Sequence, residues 1–110
     1  MENCIFCSNK VQDNKIMENE LAFVVYDIYP KSKGHALIIP KRHSENYFET
    51  TVDEQAAMSE LLLKMKHLLQ TEHNPVGFNI LSNIGKDAGQ VVFHTHLHLI
   101  PRYEGEDVKI

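Results

Sequence analysis

An excess of positive charge is missing from this sequence: 11 Lys and Arg face 15 Asp and Glu, for a net charge of −4 over 110 residues. Proteins that coat a polyanion draw on a basic field, so a nucleic-acid polymer is not an expected partner, while a small nucleotide stays compatible. Also missing is a run of ~18 or more apolar residues, the length a membrane span needs. The opening M-E-N-C-I-F-C has neither a basic n-region nor a long apolar stretch. No membrane partner and a cytoplasmic location are therefore expected. Cysteine is scarce, with Cys4 and Cys7 alone, and a structural disulfide is not expected in a cytosolic setting. There is no internal repeat and no low-complexity segment. A chain of 110 residues with 43% hydrophobic content makes one domain, 1–110, with a modest core. Chains this short often gain from a metal or a partner subunit.

What is present is concentrated between Gly89 and Arg102, G-Q-V-V-F-H-T-H-L-H-L-I-P-R. His94, His96 and His98 alternate with Phe93, Thr95, Leu97 and Leu99, and a strand turns successive side chains to opposite faces. The pattern predicts a half-buried strand whose polar face is almost wholly imidazole, with Val91, Phe93, Thr95, Leu97 and Leu99 toward a core. Imidazoles two residues apart stand ~6.6 Å from each other along a strand. Such a row suits an extended anion better than one small metal ion. A surface strand with incidental histidines, or metal ligation by two of the three, are the alternatives. Cys4-Ile5-Phe6-Cys7 is a C-x-x-C that can be half of a zinc site, a redox pair or a disulfide. The redox role wants the pair at the start of a helix that follows a strand, and three residues precede Cys4. Zinc needs two further ligands.

The run H-T-H-L-H-L-I resembles the signature of the histidine triad (HIT) family, H-x-H-x-H-x-x with apolar x; Gly89-Gln90 before it and Pro101-Arg102 after it resemble that family too. Thr95 departs from the pattern, since an apolar residue is usual there. The resemblance extends upstream to Asp27, His35, His43 and Asn83. It implies a HIT-like α+β fold, an antiparallel sheet of about five strands with one long helix packed on it, and a homodimer joined through the helix and an edge strand.

Along the chain, Ile16 to Glu18, Leu21 to Ile28 and Ala36 to Ile39 read as a β-meander, with Pro30 to Gly34 as a turn. Asp27, at the end of the second strand, reads as a turn cap or, by the resemblance, as a ribose contact, with Ile28 walling the base. Tyr26 or Tyr29 can add a stacking face, although core packing is the commoner role of an aromatic. The segment from Gly34 to His43, G-H-A-L-I-I-P-K-R-H, resembles the family's third strand. His35 thereby matches an active-site histidine that supports the triad, and His43 matches a zinc ligand of members that carry the C-x-x-C. A helix from Val52 to Glu72 is predicted from a Thr51/Glu54 capping box and the stripe Met58, Leu61, Leu62, Met65, Leu68, Leu69. His67 and His73 read as solvent-facing. Gly77 to Asn83 alternates as a strand, and Ile84 to Gly89 is the turn that delivers the chain to the histidines. Its two glycines let backbone approach a ligand closely. Asn83 is a turn cap or, by the resemblance, a substrate contact.

Neutral imidazole is a nucleophile suited to a phosphate ester or anhydride at neutral pH. Attack through Nε2 requires the proton on Nδ1, which an accepting backbone carbonyl fixes. By the resemblance His96 is the nucleophile that becomes nucleotidyl-histidine, His98 a donor to the phosphate, and Gln90 a contact to the phosphate or the leaving-group bridge. Galactose-1-phosphate uridylyltransferases are distantly similar and bind zinc with the first histidine of their catalytic pair. The corresponding division here gives a structural zinc to Cys4, Cys7, His43 and His94. The implied activity is a nucleotidyl hydrolase acting on adenosine or other purine phosphoramidates, as in the Hint branch, or on dinucleoside polyphosphates, as in the Fhit-like branch. Val91 stands where the Hint branch usually has serine. A non-catalytic nucleotide-binding or scaffold protein stabilised by zinc is the alternative.

Overall fold

The structure is a computed structural model that describes residues 4–108. Met17–Glu18 (β1), Ala22–Tyr26 (β2), Ala36–Pro40 (β3), Gly77–Leu81 (β4) and Leu97–Arg102 (β5) form one sheet. The spatial order is β1-β2-β3-β5-β4 and every neighbouring pair is antiparallel. The β-branched and aromatic run of β2 and the aliphatic run of β3 lie at the centre, where both faces are covered. Ala22, Val24, Ala36, Ile38, Leu97 and Leu99 face the long helix. Phe23, Val25, Leu37 and Ile39 face the other way, against Phe6 of the N-terminal segment. This is the expected α+β fold.

The helix, Val52–His73 (α2), begins where the capping box predicts: the Thr51 hydroxyl accepts from Glu54 N at 3.1 Å, and Thr51 N donates to Glu54 Oε1 at 2.9 Å. Met58, Leu61, Met65 and Leu69 are buried against the sheet, with Leu62 and Leu68 half-buried beside them. Burying a side chain of this size stabilises a fold by roughly 1.5–3 kcal/mol. The helix ends at Asn74, whose left-handed φ of 52° precedes Pro75. His67 is exposed as expected, but His73 is half-buried. It lies near Gly34, where an added Cβ would meet the His73 ring at 3.3 Å and Leu69 Cδ2 at 2.6 Å. A short helix, Asn9–Gln12 (α1), and a single turn at Ile5–Cys7 precede β1; no periodicity in so few residues announces them.

The histidine strand is shorter than its alternation suggests, because regular structure begins only at Leu97. The ladder with β3 pairs Ile38 with Leu97 and goes no further. Pro40 offers no N–H at that end of β3, and its carbonyl is taken by the His94 ring at 2.8 Å. The chain therefore peels off: Thr95 N donates to Ser44 O at 2.8 Å, and Val91 and Phe93, expected toward the core, are 86% and 45% exposed. The predicted strands at Leu21 to Ile28 and Gly77 to Asn83 are likewise trimmed to β2 and β4.

Candidate active site and metal centre

His98 pairs with Leu37 across the β3–β5 ladder, which puts its ring on the sheet face away from α2. His94 and His96 reach the same side although they precede the strand: Phe6 meets both rings edge-on, at centroid distances of 5.8 and 5.0 Å, and His96 lies 5.0 Å from His98. The three imidazoles thus share a face. What distinguishes them is the partner of each ring.

A backbone carbonyl only accepts and a backbone amide only donates, so these partners assign the ring protons. His94 Nε2 donates to Pro40 O, which leaves Nδ1 unprotonated, and Nδ1 lies 3.2 Å from Cys4 Sγ and 3.6 Å from Cys7 Sγ. His96 Nδ1 donates to His94 O at 2.8 Å, which leaves the Nε2 lone pair free. Lys31 N donates to His35 Nδ1 at 3.0 Å, so His35 carries its proton on Nε2 and donates it to His98 Nδ1 at 2.9 Å. His98 consequently presents an Nε2–H. Burial lowers the pKa of His35, His94 and His96, and takes His98, with help from the His96 and His35 rings, down to about 4. All four are neutral near pH 7, as these proton assignments require.

The rings His96 and His98 open onto a cleft of about 460 Å³. Asp27, Ile28, Asn83 and Gly89 line it together with Val25, Tyr26, Tyr29 and Leu37. Asp27 caps its turn and also faces the histidines. Its Oδ1 caps the turn by accepting from Tyr29 N at 2.9 Å, and its Oδ2 lies 3.5 Å from His35 Nε2 and 3.9 Å from His98 Nδ1. Ile28 is 66% exposed, an apolar wall without cover. Gly89, at φ 97°, adopts a backbone that a side chain would strain.

Gln90 directly precedes the histidine segment. Its side chain is buried in the loop, accepting from Gly85 N at 2.8 Å and donating to Glu45 O at 2.5 Å and Val92 O at 3.1 Å. Both ends of the amide are thus held by backbone, which ties the loop ahead of the histidines to the segment after β3. Thr95 has a comparable explanation. Its hydroxyl sits 2.6 Å from the Ser44 hydroxyl, both side chains buried, so the polar residue in an apolar position secures the segment after β3. A further tie is Arg42, held by Glu54 through Nε at 3.0 Å and Nη2 at 2.8 Å.

The segment so secured carries His43. Cys4, Cys7, His43 and His94 bring ligand atoms within 4.8 Å of one another. Two thiols and two imidazoles suit zinc. Two observations fit a cation there: the buried His43 Nδ1 has no hydrogen-bond partner among the described residues, and the His94 tautomer aims a lone pair at the thiols. The hydrogen bond from His94 to Pro40 O is the outer support that metal-bound histidines ordinarily have. Burial, and then the Cys4 thiol, push the Cys7 thiol up to about 11, so a cation is what would draw the protons off at neutral pH. Asp27, His35 and His98 also cluster within 4.8 Å, but their facing nitrogens already serve one another.

Sequence reasoning missed the far wall of the cleft, built by Ile5, Phe6 and Val11 of the N-terminal segment. The signal was available, since Phe6 lies inside the C-x-x-C and must follow wherever the thiols go. It also missed the Lys31 amide, since a backbone contact leaves no mark on residue type.

A sheet of this order, one covering helix, and three histidines on the open face define a histidine triad protein. The profile of the HIT domain matches residues 8–105. An uncharacterized 16.1 kDa HIT-like protein of Mycoplasma pneumoniae is 44% identical over 105 residues, covering 93% of this chain and 73% of the relative. The adenylylsulfatase HINT3 of Arabidopsis thaliana is 37% identical over 105 residues, 93% of this chain and 53% of that protein. The crystal structure of a zinc-bound histidine triad family protein from Mycobacterium smegmatis superposes with a TM-score of 0.88 at 33% identity, covering 99% of this chain and 81% of that one. The chain belongs to the HIT family. No helix among the described residues is long and apolar enough to cross a membrane.

Proposed function

We propose that this chain, as a single domain over 1–110, is a Hint-like nucleotidyl hydrolase. Its substrates are purine, above all adenosine, phosphoramidates or dinucleoside polyphosphates, and it releases a nucleoside monophosphate through a nucleotidyl-His96 intermediate. The observation that carries the proposal is the 2.8 Å bond from His96 Nδ1 to the His94 carbonyl, which leaves a neutral Nε2 lone pair at a cleft of nucleotide size. The adenylylsulfatase activity in the name of the Arabidopsis relative supports chemistry of this class.

In the first step the Nε2 pair of His96 forms a bond to phosphorus, and the bond from phosphorus to the leaving nitrogen or oxygen breaks with its electron pair departing on the leaving group, which takes a proton from solvent as it leaves. The Nδ1–H stays on the His94 carbonyl, which shares the positive charge that develops on the ring. His98 Nε2–H donates to a phosphate oxygen, the Asp27 carboxylate accepts from the ribose hydroxyls, and Ile28, Asn83 and Gly89 wall the base and phosphate. In the second step water attacks phosphorus, the bond to His96 breaks, and Nε2 regains its pair. The attacking water gives its oxygen to the monophosphate and returns one proton to solvent, replacing the one the leaving group took, so the sum is hydrolysis. His35 positions His98.

Zinc is the proposed cofactor at Cys4, Cys7, His43 and His94, with a structural role: when bound it would tie the N-terminal segment to the loop after β3. A homodimer through α2 and the β4 edge is also proposed. It is supported by Leu63 on the helix and Ile80 on the edge strand, which are 65% and 60% exposed.

The test is a brief reaction with an adenosine phosphoramidate, quenched and analysed by mass spectrometry, beside a turnover panel that includes diadenosine polyphosphates. An adenylyl adduct on His96 is expected. Turnover with no adduct in wild type and full activity in His96→Asn would refute the mechanism.

A further inference from the structure

Phe6 sits between the two thiols in a single turn closed by Cys7 N donating to Cys4 O at 3.1 Å. Its side chain is buried and touches two rings of different function, the His94 ring of the metal cluster and the His96 ring of the cleft. Its neighbour Ile5 and Val11 line the same cleft. Little else fastens this segment. Among the described residues, the backbone bonds of its turns are local, from Cys7 to Cys4 and on to Asn14 with Val11, and Ile16 N with Val24 O is the first to reach the sheet. The thiols beside His94 and the packing of buried Phe6, with half-buried Cys4 and Val11 beside it, on the sheet face of Val25, Leu37 and Ile39 supply the remaining attachment.

We infer that Phe6 is a positioning residue through which the metal site sets the His96 ring and closes one wall of the nucleotide cleft, so that metal and nucleotide bind with positive coupling. The inference rests on the nucleotide site proposed above. The geometry gives the direction. A cation on both thiols fixes the turn, the fixed turn seats Phe6 edge-on against His96, and the wall of Ile5, Phe6 and Val11 is then in place before nucleotide arrives. Whatever the metal contributes to the nucleotide, the nucleotide must return by the same factor.

The experiment uses the full-length zinc-loaded chain with adenosine monophosphate as probe. A competing chelator is titrated with and without saturating nucleotide, and adenosine monophosphate affinity is measured for wild type, Phe6→Ala and Phe6→Leu. Long-range nitrogen NMR follows the His96 ring in the same samples without nucleotide. Nucleotide should tighten zinc at least about fivefold, the lower end of usual coupling. Phe6→Ala should retain zinc, lose most of that factor, weaken the nucleotide by a similar ratio and shift or broaden the His96 ring signals; Phe6→Leu should recover part of each. Zinc affinity unchanged within twofold by nucleotide would overturn the inference, as would Phe6→Ala with unaltered His96 signals. If Phe6→Ala fails to fold, Phe6→Leu and the wild-type chelator titration decide. A chain that binds no adenosine monophosphate at all refutes the proposed function and the coupling, whereas His96 signals that still respond to Phe6 keep the positioning role.

Discussion

Acidification gives a quantitative test of the buried imidazole arrangement. His98 is held neutral by burial, by the His96 and His35 rings facing it and by Lys31, against the opposing pull of Asp27, and its pKa falls from 6.5 to about 4. A histidine with a depressed folded pKa binds fewer protons folded than unfolded throughout that interval, so unfolding takes up a proton. The stability it permits is present above pH 6.5 and is lost as pH falls toward 4. For pKa values of 6.5 unfolded and about 4 folded, linkage makes unfolding about 2 kcal/mol easier at pH 5 than at pH 7.5. The side chain is 14% exposed, so solvent screening takes little from this figure. His35, His94 and His96 are shifted the same way and add to the slope, and if zinc is bound its release by protons would add further. The assay is therefore a difference: urea midpoints of wild type and His98→Asn at pH 7.5, 6.5, 5.5 and 5.0, each with zinc content checked. The variant should lose less stability on acidification than wild type by about 2 kcal/mol. Equal pH slopes in the two proteins would refute both the neutral state of His98 and the proton assignment that runs from Lys31 N through His35.

His96→Asn should lower kcat and kcat/KM together by on the order of 10³-fold or more while adenosine monophosphate still binds; retention of a tenth of wild-type kcat would mean that water or another group attacks. Cys4→Ser should drop bound zinc well below one equivalent and lower Tm, measured by metal analysis and a thermal scan. Unchanged zinc and Tm would remove Cys4 from the ligand set. Thr95→Val leaves the buried Ser44 hydroxyl without its 2.6 Å partner, which should cost about 1–3 kcal/mol in denaturant unfolding; a variant at least as stable as wild type would show that the hydroxyl pair secures nothing. Light scattering at micromolar concentration should give twice the chain mass, and a monomer would count against the α2 and β4 interface.

The helix was legible to within a residue because a capping box, an apolar stripe and a stop at Asn74-Pro75 agree on it. Strand existence was legible for the same reason, from β-branched runs and alternation. The ends of the strands were not, since a ladder stops where its partner runs out of donors. Pro40 sits in β3, more than 50 positions from the histidines whose strand it shortens, and nothing in the alternation of residues 91 to 96 registers it. Gln90 shows the same limit from the side of the site. Its residue type offers a donor and an acceptor, and only the approach of Glu45 O and Gly85 N decides that backbone consumes both.

The triad carries this furthest, because one residue type repeated three times on one face takes two tautomers and three different sets of partners. The sequence shows three equivalent imidazoles. Their inequivalence comes from Pro40 O on His94, the His94 carbonyl on His96, and His35 with Lys31 N behind it on His98. Two of these partners are main-chain carbonyls, so no side-chain substitution at Pro40 or His94 removes them directly, and the proton positions are set by where the backbone runs. Peeling away from β3 before Leu97 is what makes this possible. In a continued ladder the Pro40 carbonyl would be committed to the N–H of Thr95 opposite it, and the His94 ring could not use it. The shortened strand is thus a condition for His94 to turn a lone pair toward the thiols, while the His94 carbonyl, on the side away from β3, holds the proton of His96 and turns the His96 lone pair toward the cleft.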